Sequence, residues 1–463
     1  MTVLDENEDW PRHGTYEYSS YVSNTEAVVS FEGFRKQGFE SFDFVVIGAG
    51  PIGAALAYKL SQDWPTRRVL IVEKSWQEPD RIVGELMQPS GCEAMEKLGL
   101  GGVFSGIGGV AAHGYYVSYG GSSIYVPYPQ KKEGGRYCGV SFHHGRFVMN
   151  LRAACKAQRN ITCVEGSVEE LLRRAGVGGR VWGVRVGPSR RAAEGEGGVL
   201  VEVGASVLTF VCDGITSQFR RQLNPAAVTL ISHFCGLVLE HDPITSREYF
   251  GGPAGATTHV WRAGAGGGGN VLPMPHNGNV LLDGVGPVLL YQMSERETRV
   301  LADIPGEHLP SEAGGRLREV LRESLSRAAP KDMYPGLHGL LLETLEGAKR
   351  IRCIGSKFIP ATANSVEGAV WIGDALNVRH PLTGGGMTVG LWDVVILTDS
   401  LKAQRGLSVG EIGVAKAKWQ WSRRPRALVV NVLSVALYSL FAAETKELGL
   451  LREACFNYLG RGE

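Results

Sequence analysis

The spacing of apolar residues changes period several times along the chain. Residues 42–47 (FDFVVI) form a short β-branched run and read as a buried strand. After Gly48-Ala-Gly-Pro-Ile-Gly53, residues 54–60 are small and apolar, as in a helix packed closely on a sheet. Residues 69–72 (VLIV) make a second strand ending in Glu73, so 42–73 is a β-α-β unit and the expected start of a parallel sheet. From 110 to 129 the pattern is β with aromatics, 146–159 is helical and 161–165 is strand-like. Residues 181–186 and 199–210 alternate as antiparallel strands do, and 207–211 (VLTFV) runs into Cys212-Asp213-Gly214. The Gly-rich stretch 251–269 cannot pack a core and is expected as a loop. Strand character returns at 288–292 and 298–303, and 309–329 is mostly helical. Residues 369–372 (AVWI) enter Gly373-Asp374 as a strand, and 387–401 reads as a helix. No internal repeat is present.

Composition narrows the function classes. At about 150 residues per domain, 463 residues predict roughly three units or two large interleaved ones. Hydrophobic residues make up 44% and charged residues 21%, which is globular. With 48 Lys+Arg against 47 Asp+Glu, the net charge of +1 exerts no overall pull on nucleic acid, and no nucleic-acid partner is expected. The eight cysteines include no CxxC pair, which argues against a zinc site or disulfide framework and fits a reducing compartment; no metal is expected. Residues 1–41 are polar, lack the apolar core of a signal peptide and read as a tail. No uncharged apolar run reaches about 18 residues. The nearest is 427–443, which follows Arg423, Arg424 and Arg426 and is interrupted by Asn431 and Ser434.

The GxGxxG at 48–53 gains weight from its setting between a strand and a helix, with Glu73 twenty residues after Gly53. Gly48 permits the tight turn, Gly50 lets backbone approach a pyrophosphate, and Gly53 lets helix pack on strand. The helix N-terminus offers free N–H groups to phosphates. Glu73 can accept from ribose hydroxyls and would repel a 2′-phosphate, so the ligand is FAD or NAD rather than NADP. Two further turns follow strands, Asp213-Gly214 and Gly373-Asp374, where a carboxylate can meet a ribitol hydroxyl; these favour FAD. The stretch 374–388 (DALNVRHPLTGGGMT) adds a Pro-Leu-Thr turn and three glycines before a helix, whose amides can face the flavin or the pyrophosphate.

Together these residues resemble the squalene epoxidase (squalene monooxygenase) family of FAD-dependent monooxygenases. The matching blocks are FVVIGAGPIGAALA, EPDRIVGELMQPSG, FHHGRFVMNLR, PVLLYQMSERETRVLADI, GDALNVRHPLTGGGMTVGL and VVNVLSVALYSLFAA, in family order from about 42 to 456. The resemblance implies an α/β fold with a Rossmann-like FAD-binding domain, an antiparallel-sheet substrate domain (para-hydroxybenzoate-hydroxylase-like) and C-terminal helices. The expected division is a tail at 1–41, an FAD-binding domain over 42–212 interleaved with substrate-domain strands at 110–145, a substrate domain over 213–355, a last FAD-binding part at 356–405 and a membrane-docking region at 406–463. FAD contacts carry over to Pro51, Ile52, Glu73, Lys74, Arg81, Arg146, Val168, Asp374 and Met387. For Arg81 and Arg146 the competing reading is a surface ion pair with Asp80 or Glu85. Tyr115 and Gln88 match polar active-site positions, where a Tyr–Gln hydrogen bond would sit beside an apolar channel; the alternative for Tyr115 is a sheet aromatic with its hydroxyl in water. His143, His144 and His380 are expected to be structural.

The implied reaction converts squalene to (S)-2,3-oxidosqualene with O2 through a C4a-hydroperoxyflavin, in sterol or triterpenoid biosynthesis. One fingerprint leaves no second domain for NADPH, so electrons are expected from NADPH–cytochrome P450 reductase. Trp419, Trp421, the arginine cluster and 427–443 suit a monotopic helix on the endoplasmic reticulum or microsomal membrane; a buried core helix is the competing reading. The chain departs from its relatives in an insertion at 251–275, in Cys212 for Ala and Ser90 for Gly, and in lacking both an N-terminal membrane segment and helices beyond Glu463, so weaker or partner-supplied attachment is expected. The alternatives are a flavin monooxygenase on another polyprenoid or an aromatic, and a non-catalytic flavin-binding paralogue.

Overall fold

The computed structural model describes residues 28–38, 41–132, 134–176, 179–189, 199–225, 227–244, 271–443 and 445–460. The Gly-rich stretch and all but the end of the 251–275 insertion lie outside these residues.

Part of the expected tail belongs to the first sheet. Strand β1 (Val28–Ser30) pairs in parallel with β9 (Ile161–Glu165), and Ser30 caps helix α1 (Phe31–Gln37) by accepting the Gly33 amide. Phe31 and Phe34, three apart on one face of this helix, are both buried in the core. A seven-residue helix is too short to display a period, which is why the sequence reads as tail there.

The β-α-β unit follows as β2 (Ser41–Ile47), α2 (Pro51–Asp63) and β3 (Val69–Glu73). Phe44 to Ile47 and Val69 to Val72 are buried on both faces, so these strands show continuous apolar runs rather than alternation. The remaining strands of this sheet are β10 (Ser167–Arg173), β11 (Val181–Gly187), β12 (Val201–Val211) and β18 (Ala369–Trp371). Among the described residues the order is β1-β9-β3-β2-β12-β11-β10, with β18 also paired to β12. Strand β12 corrects the all-antiparallel expectation for 199–210. Its first half alternates and pairs antiparallel with β11, whereas Leu208–Val211 is wholly buried and runs parallel to β2 and β18.

A small sheet, β4 (Leu86–Met87), β5 (Val110–Ala112) and β8 (Gly139–Ser141), lies beside helices α3 (Pro89–Lys97) and α4 (His144–Lys156). The second large sheet takes β6 (Gly114–Tyr119), β7 (Ser122–Pro127), β13 (Thr229–Glu240), β14 (Gly278–Leu281), β15 (Val288–Gln292), β16 (Glu297–Pro305) and β17 (Arg352–Phe358), in the order β17-β13-β16-β15-β14-β6-β7. Strand β15 shows how it divides two cores. Val288 and Leu290 face the cluster under α5 (Arg316–Ala328) and α6 (Pro335–Gly347), while Leu289 and Tyr291 face a second apolar cluster on the other side. Helix α5 starts seven residues later than the apolar pattern predicts, because Gly315, at φ +74°, sets its N-terminus.

Three helices close the chain: α7 (Gly385–Lys402), α8 (Val409–Ala442) and α9 (Lys446–Gly460). Helix α8 begins in a Ser408–Glu411 capping box and continues for 34 residues through Pro425. The apolar stretch 427–443 is thus the second half of a helix whose first half buries Ile412, Ala415 and Trp419 in the core of the first sheet.

Candidate functional site

The fingerprint turn is fixed by backbone that leaves no room for side chains. Gly48 sits at φ +96°, and a Cβ there would lie 2.7 Å from the Cys212 carbonyl oxygen. A Cβ on Gly53 would lie 1.9 Å from the Gly48 carbonyl oxygen, so helix and turn touch through bare backbone. Gly50 caps α2 and faces open space, with Pro51 at the first helical position, where it gives up no hydrogen bond. Glu73 holds this turn: one carboxylate oxygen accepts the Ala49 amide at 2.8 Å and the other the Ser75 amide at 3.2 Å. Arg152, unremarked in the sequence, donates to the Ala49 carbonyl at 2.9 Å and stands 3.8 Å from Glu73.

Two more turns converge here. Asp213 lies against Gly48, and Gly373 meets the side chain of Ile52. Buried Arg220 joins these turns by donating to the carbonyls of Gly214 (2.9 Å), Ile215 (2.8 Å) and Asp374 (2.9 Å). Burial raises the Asp374 carboxyl above its ordinary range, against the opposing charges of Arg379, Arg81 and Arg220. Burial likewise raises Asp213, whose Oδ1 has no hydrogen-bond partner. Thr383 Oγ1 and Thr388 Oγ1 are also buried and unpartnered. The unmet Asp213 oxygen, the side-chain-free backbone of Gly48 and Gly50, and the α2 N-terminus at these converging turns fit the diphosphate and polyol of FAD.

Gln88 links this crevice to the second sheet. Its Nε2 donates to the Tyr115 hydroxyl at 2.5 Å and to the Thr383 carbonyl at 3.2 Å, while its Oε1 accepts from Tyr128 at 2.7 Å. Tyr115 and Tyr128 pack edge to face, with ring centroids 5.9 Å apart. Burial holds both phenols protonated, raising each above its ordinary range. Tyr115 is therefore not a sheet aromatic with its hydroxyl in water. It borders the apolar cluster of Ile82, Val117, Leu289, Met293 and Leu382.

The other expected contacts spread around the crevice. Met387 approaches Gly84, where a Cβ would lie 3.8 Å from its methyl. Arg81 and Arg146 are exposed, and neither pairs with Asp80 or Glu85. Asp80 pairs with Arg352, and Glu85 is buried in a bidentate pair with Arg299, both bonds 2.8 Å, while also accepting from Tyr291. The charge of Arg81 reaches Asp374 and His144, whereas Arg146 reaches the Ile107 carbonyl at 3.4 Å. Lys74 is exposed beside Glu73. The Val168 side chain is packed in the core, and its carbonyl accepts from Gln218, so backbone is what it presents. His144 is buried against the Gly84 carbonyl, and desolvation lowers it to about 4, which keeps it neutral.

On α8, two residues assigned to a membrane face belong to the core instead. Trp419 is fully buried and donates to the Asp393 carbonyl, and Arg423 forms a buried bidentate pair with Asp393 at 2.8 and 2.9 Å. Trp421 is 69% exposed, and Leu428, Val429, Val432, Leu433 and Val435 are exposed beyond it. The helix is long and apolar enough to cross a membrane, with 17% of its apolar window buried.

Comparison with known proteins gives a consistent set of matches. The family description that fits is squalene epoxidase, over residues 205–249 and 264–463. A squalene epoxidase of Schizosaccharomyces pombe is 37% identical across 91% of this chain and 83% of its own length. A squalene monooxygenase of Mus musculus is 37% identical across 91% of this chain and 65% of its own. Among solved structures, Pseudomonas aeruginosa PqsL in complex with 2-aminobenzoylacetate superposes with a TM-score of 0.65 at 19% identity, covering 89% of this chain and all of that one. Klebsiella pneumoniae HpxO complexed with FAD and uric acid gives 0.59 at 16% identity, covering 92% and 94%. At these identities the structures speak for the fold.

Proposed function

Because this chain belongs to the squalene epoxidase family, we propose that it is an FAD-dependent monooxygenase that transfers one oxygen atom of O2 to a terminal double bond of squalene, giving (S)-2,3-oxidosqualene. The observation that carries this reading is the junction at Gln88. One amide side chain binds the turn that leads into α7 together with two tyrosines, one of which, Tyr115, packs against an apolar cluster.

In this reading Gly48, Gly50, Pro51, Ile52 and Gly53 receive the diphosphate on the α2 N-terminus, with Glu73, Lys74 and the Val168 backbone toward the adenosine end. Asp374 and Asp213 meet the polyol hydroxyls, and Met387 and the α7 N-terminus border the ring system. Arg81 and Arg146 place positive charge at the mouth. Bound there and reduced, FAD supplies the activation of O2. The chain's own residues orient the alkene and exclude water. Squalene offers no polar handle, so its position comes from the shape of the apolar wall. The Tyr115 oxygen accepts from Gln88 and its hydroxyl also meets that of Tyr128, so the three side chains fix one another's orientation beside the apolar wall.

Electrons arrive from a separate NADPH–cytochrome P450 reductase, a reading supported by the single dinucleotide fingerprint in the sequence. The outward apolar face of α8, next to Arg424 and Trp421 in cation–π contact at 4.2 Å, supports monotopic docking on the cytosolic face of the endoplasmic reticulum. Incubating the flavin-loaded protein with squalene, O2, NADPH and the reductase, then analysing lipids by mass spectrometry, tests the reading. Oxidosqualene is expected; NADPH consumption that yields only hydrogen peroxide overturns it.

A further inference from the structure

The segment 379–385 carries the Thr383 carbonyl that orients Gln88, and it leads into the α7 N-terminus. It is a one-turn helix followed by Gly384 at φ +60°, with little capacity to hold itself in place. Helix α8 supplies what it lacks. Asn431 Oδ1 accepts from Arg379 Nε at 2.7 Å, and Val430 packs so tightly that a Cβ on Gly385 would lie 2.5 Å from its methyl. About two helical turns further on, the Tyr438 ring lies 4.1 Å from that of His380, centroid to centroid.

Tyr438 and His380 are also joined by hydrogen bonds of determined direction. His380 Nδ1 accepts the Leu382 amide at 3.2 Å, so in the neutral ring the proton is on Nε2 and is donated to Ser232 Oγ at 3.0 Å. Ser232 in turn donates to Asp303 Oδ1 at 2.6 Å, and Tyr438 donates to Asp303 Oδ2 at 3.1 Å. His380, Ser232 and Asp303 are fully buried, and Tyr438 is 6% exposed, so no water replaces a lost partner without rearrangement. Asn431, Ser434 and Tyr438 fall at i, i+3 and i+7, one inward stripe of the helix whose opposite face is the exposed apolar one.

We propose that Tyr438 and Asn431 are positioning residues for oxygen transfer: they hold segment 379–385 so that Thr383 presents Gln88, and through it Tyr115, to the reacting centre. This rests on the reading of the site given above. Both act through Gln88, although the Tyr438 ring also belongs to the apolar cluster.

A double-mutant cycle tests it with the flavin-loaded, full-length protein. Tyr438→Phe is expected to lower kcat about ten-fold, through loss of its hydrogen bond to buried Asp303, with KM for squalene within about two-fold. In a Gln88→Ala background the same change is expected to lower kcat by less than about two-fold, since the path is already cut. A wild-type kcat in Tyr438→Phe, or single effects that multiply in the double variant, overturns the proposal. A purely structural role would give multiplying effects. Should Tyr438→Phe not fold, Asn431→Ala enters the same cycle with the same expected outcomes. A second readout needs no substrate: the visible flavin band is expected to shift in each single variant and no further in the double. A wild-type protein that holds flavin but makes no oxidosqualene therefore refutes the substrate reading, while the spectral cycle still decides this inference.

Discussion

The two walls of the cleft are built in opposite ways. On the wall proposed to hold the cofactor, position is set by main chain: Gly48 and Gly53 bring turn, helix and the Cys212–Asp213 turn into contact, and buried Arg152 and Arg220 bind carbonyl oxygens. On the wall proposed to face the substrate, position is set by side chains: alternate residues of β15 and its neighbours make an apolar surface, interrupted by Gln88, Tyr115 and Tyr128. A wall made of backbone cannot accommodate one added carbon, whereas a wall made of side chains can lose a hydroxyl and keep its shape.

The largest effect that would break this contrast lies at Gly53. Gly53→Ala puts a carbon 1.9 Å from a backbone oxygen, so α2 must leave the sheet and the purified protein is expected to lose its flavin, read as the visible absorbance per polypeptide. Wild-type flavin content in this variant would show that the main chain does not set that wall. The next effect bears on both walls through acid. His144 is held neutral with its pKa lowered to about 4 and His380 to about 3, each by burial. Between about 6.5 and those values the unfolded chain binds protons that the folded chain refuses, so stability is full above about pH 6.5 and falls as pH drops. For His144 alone the loss approaches about 3 kcal/mol near pH 4. Urea midpoints measured at descending pH should show this slope, and His144→Gln should flatten it; an unchanged slope would assign the linkage elsewhere. The smallest effect sharpens the contrast. Tyr115→Phe leaves a Gln88 donor without its acceptor and should reduce oxygenation about ten-fold while flavin content stays at the wild-type level. Flavin lost together with that hydroxyl would mean the walls are one unit.

The same division decides what could be read from the sequence. The β-α-β unit, its glycines and Glu73 are legible because strand, turn, helix and acidic residue lie within about thirty residues, and the local pattern specifies them together. Strand β13 is not legible. It carries Ser232 and His233 among its apolar residues, because one of these polar groups serves a network whose other members are Asp303, His380 and Tyr438 on distant elements. Helix α6 is hidden by Pro335, Gly336 and Gly339, and β17 by its half-polar edge character. The Glu85–Arg299 pair spans 214 residues, and Arg220 reaches Asp374 across 154, so no spacing rule can announce them. Gln88 and Tyr115 became visible through family resemblance. Tyr128, which completes their cluster, carries no local signal beyond its aromatic surroundings.

Strand β12 has a consequence for how the protein is made. It pairs on one side with β2 near the start of the chain and on the other with β18, whose residues precede the Gly373-Asp374 turn. A ribosome must therefore synthesise most of the polypeptide before the crevice has its second side. Until then the emerging fragment holds an unfinished sheet edge and half a binding site, and it can capture a vitamin-derived prosthetic group only late in its biogenesis.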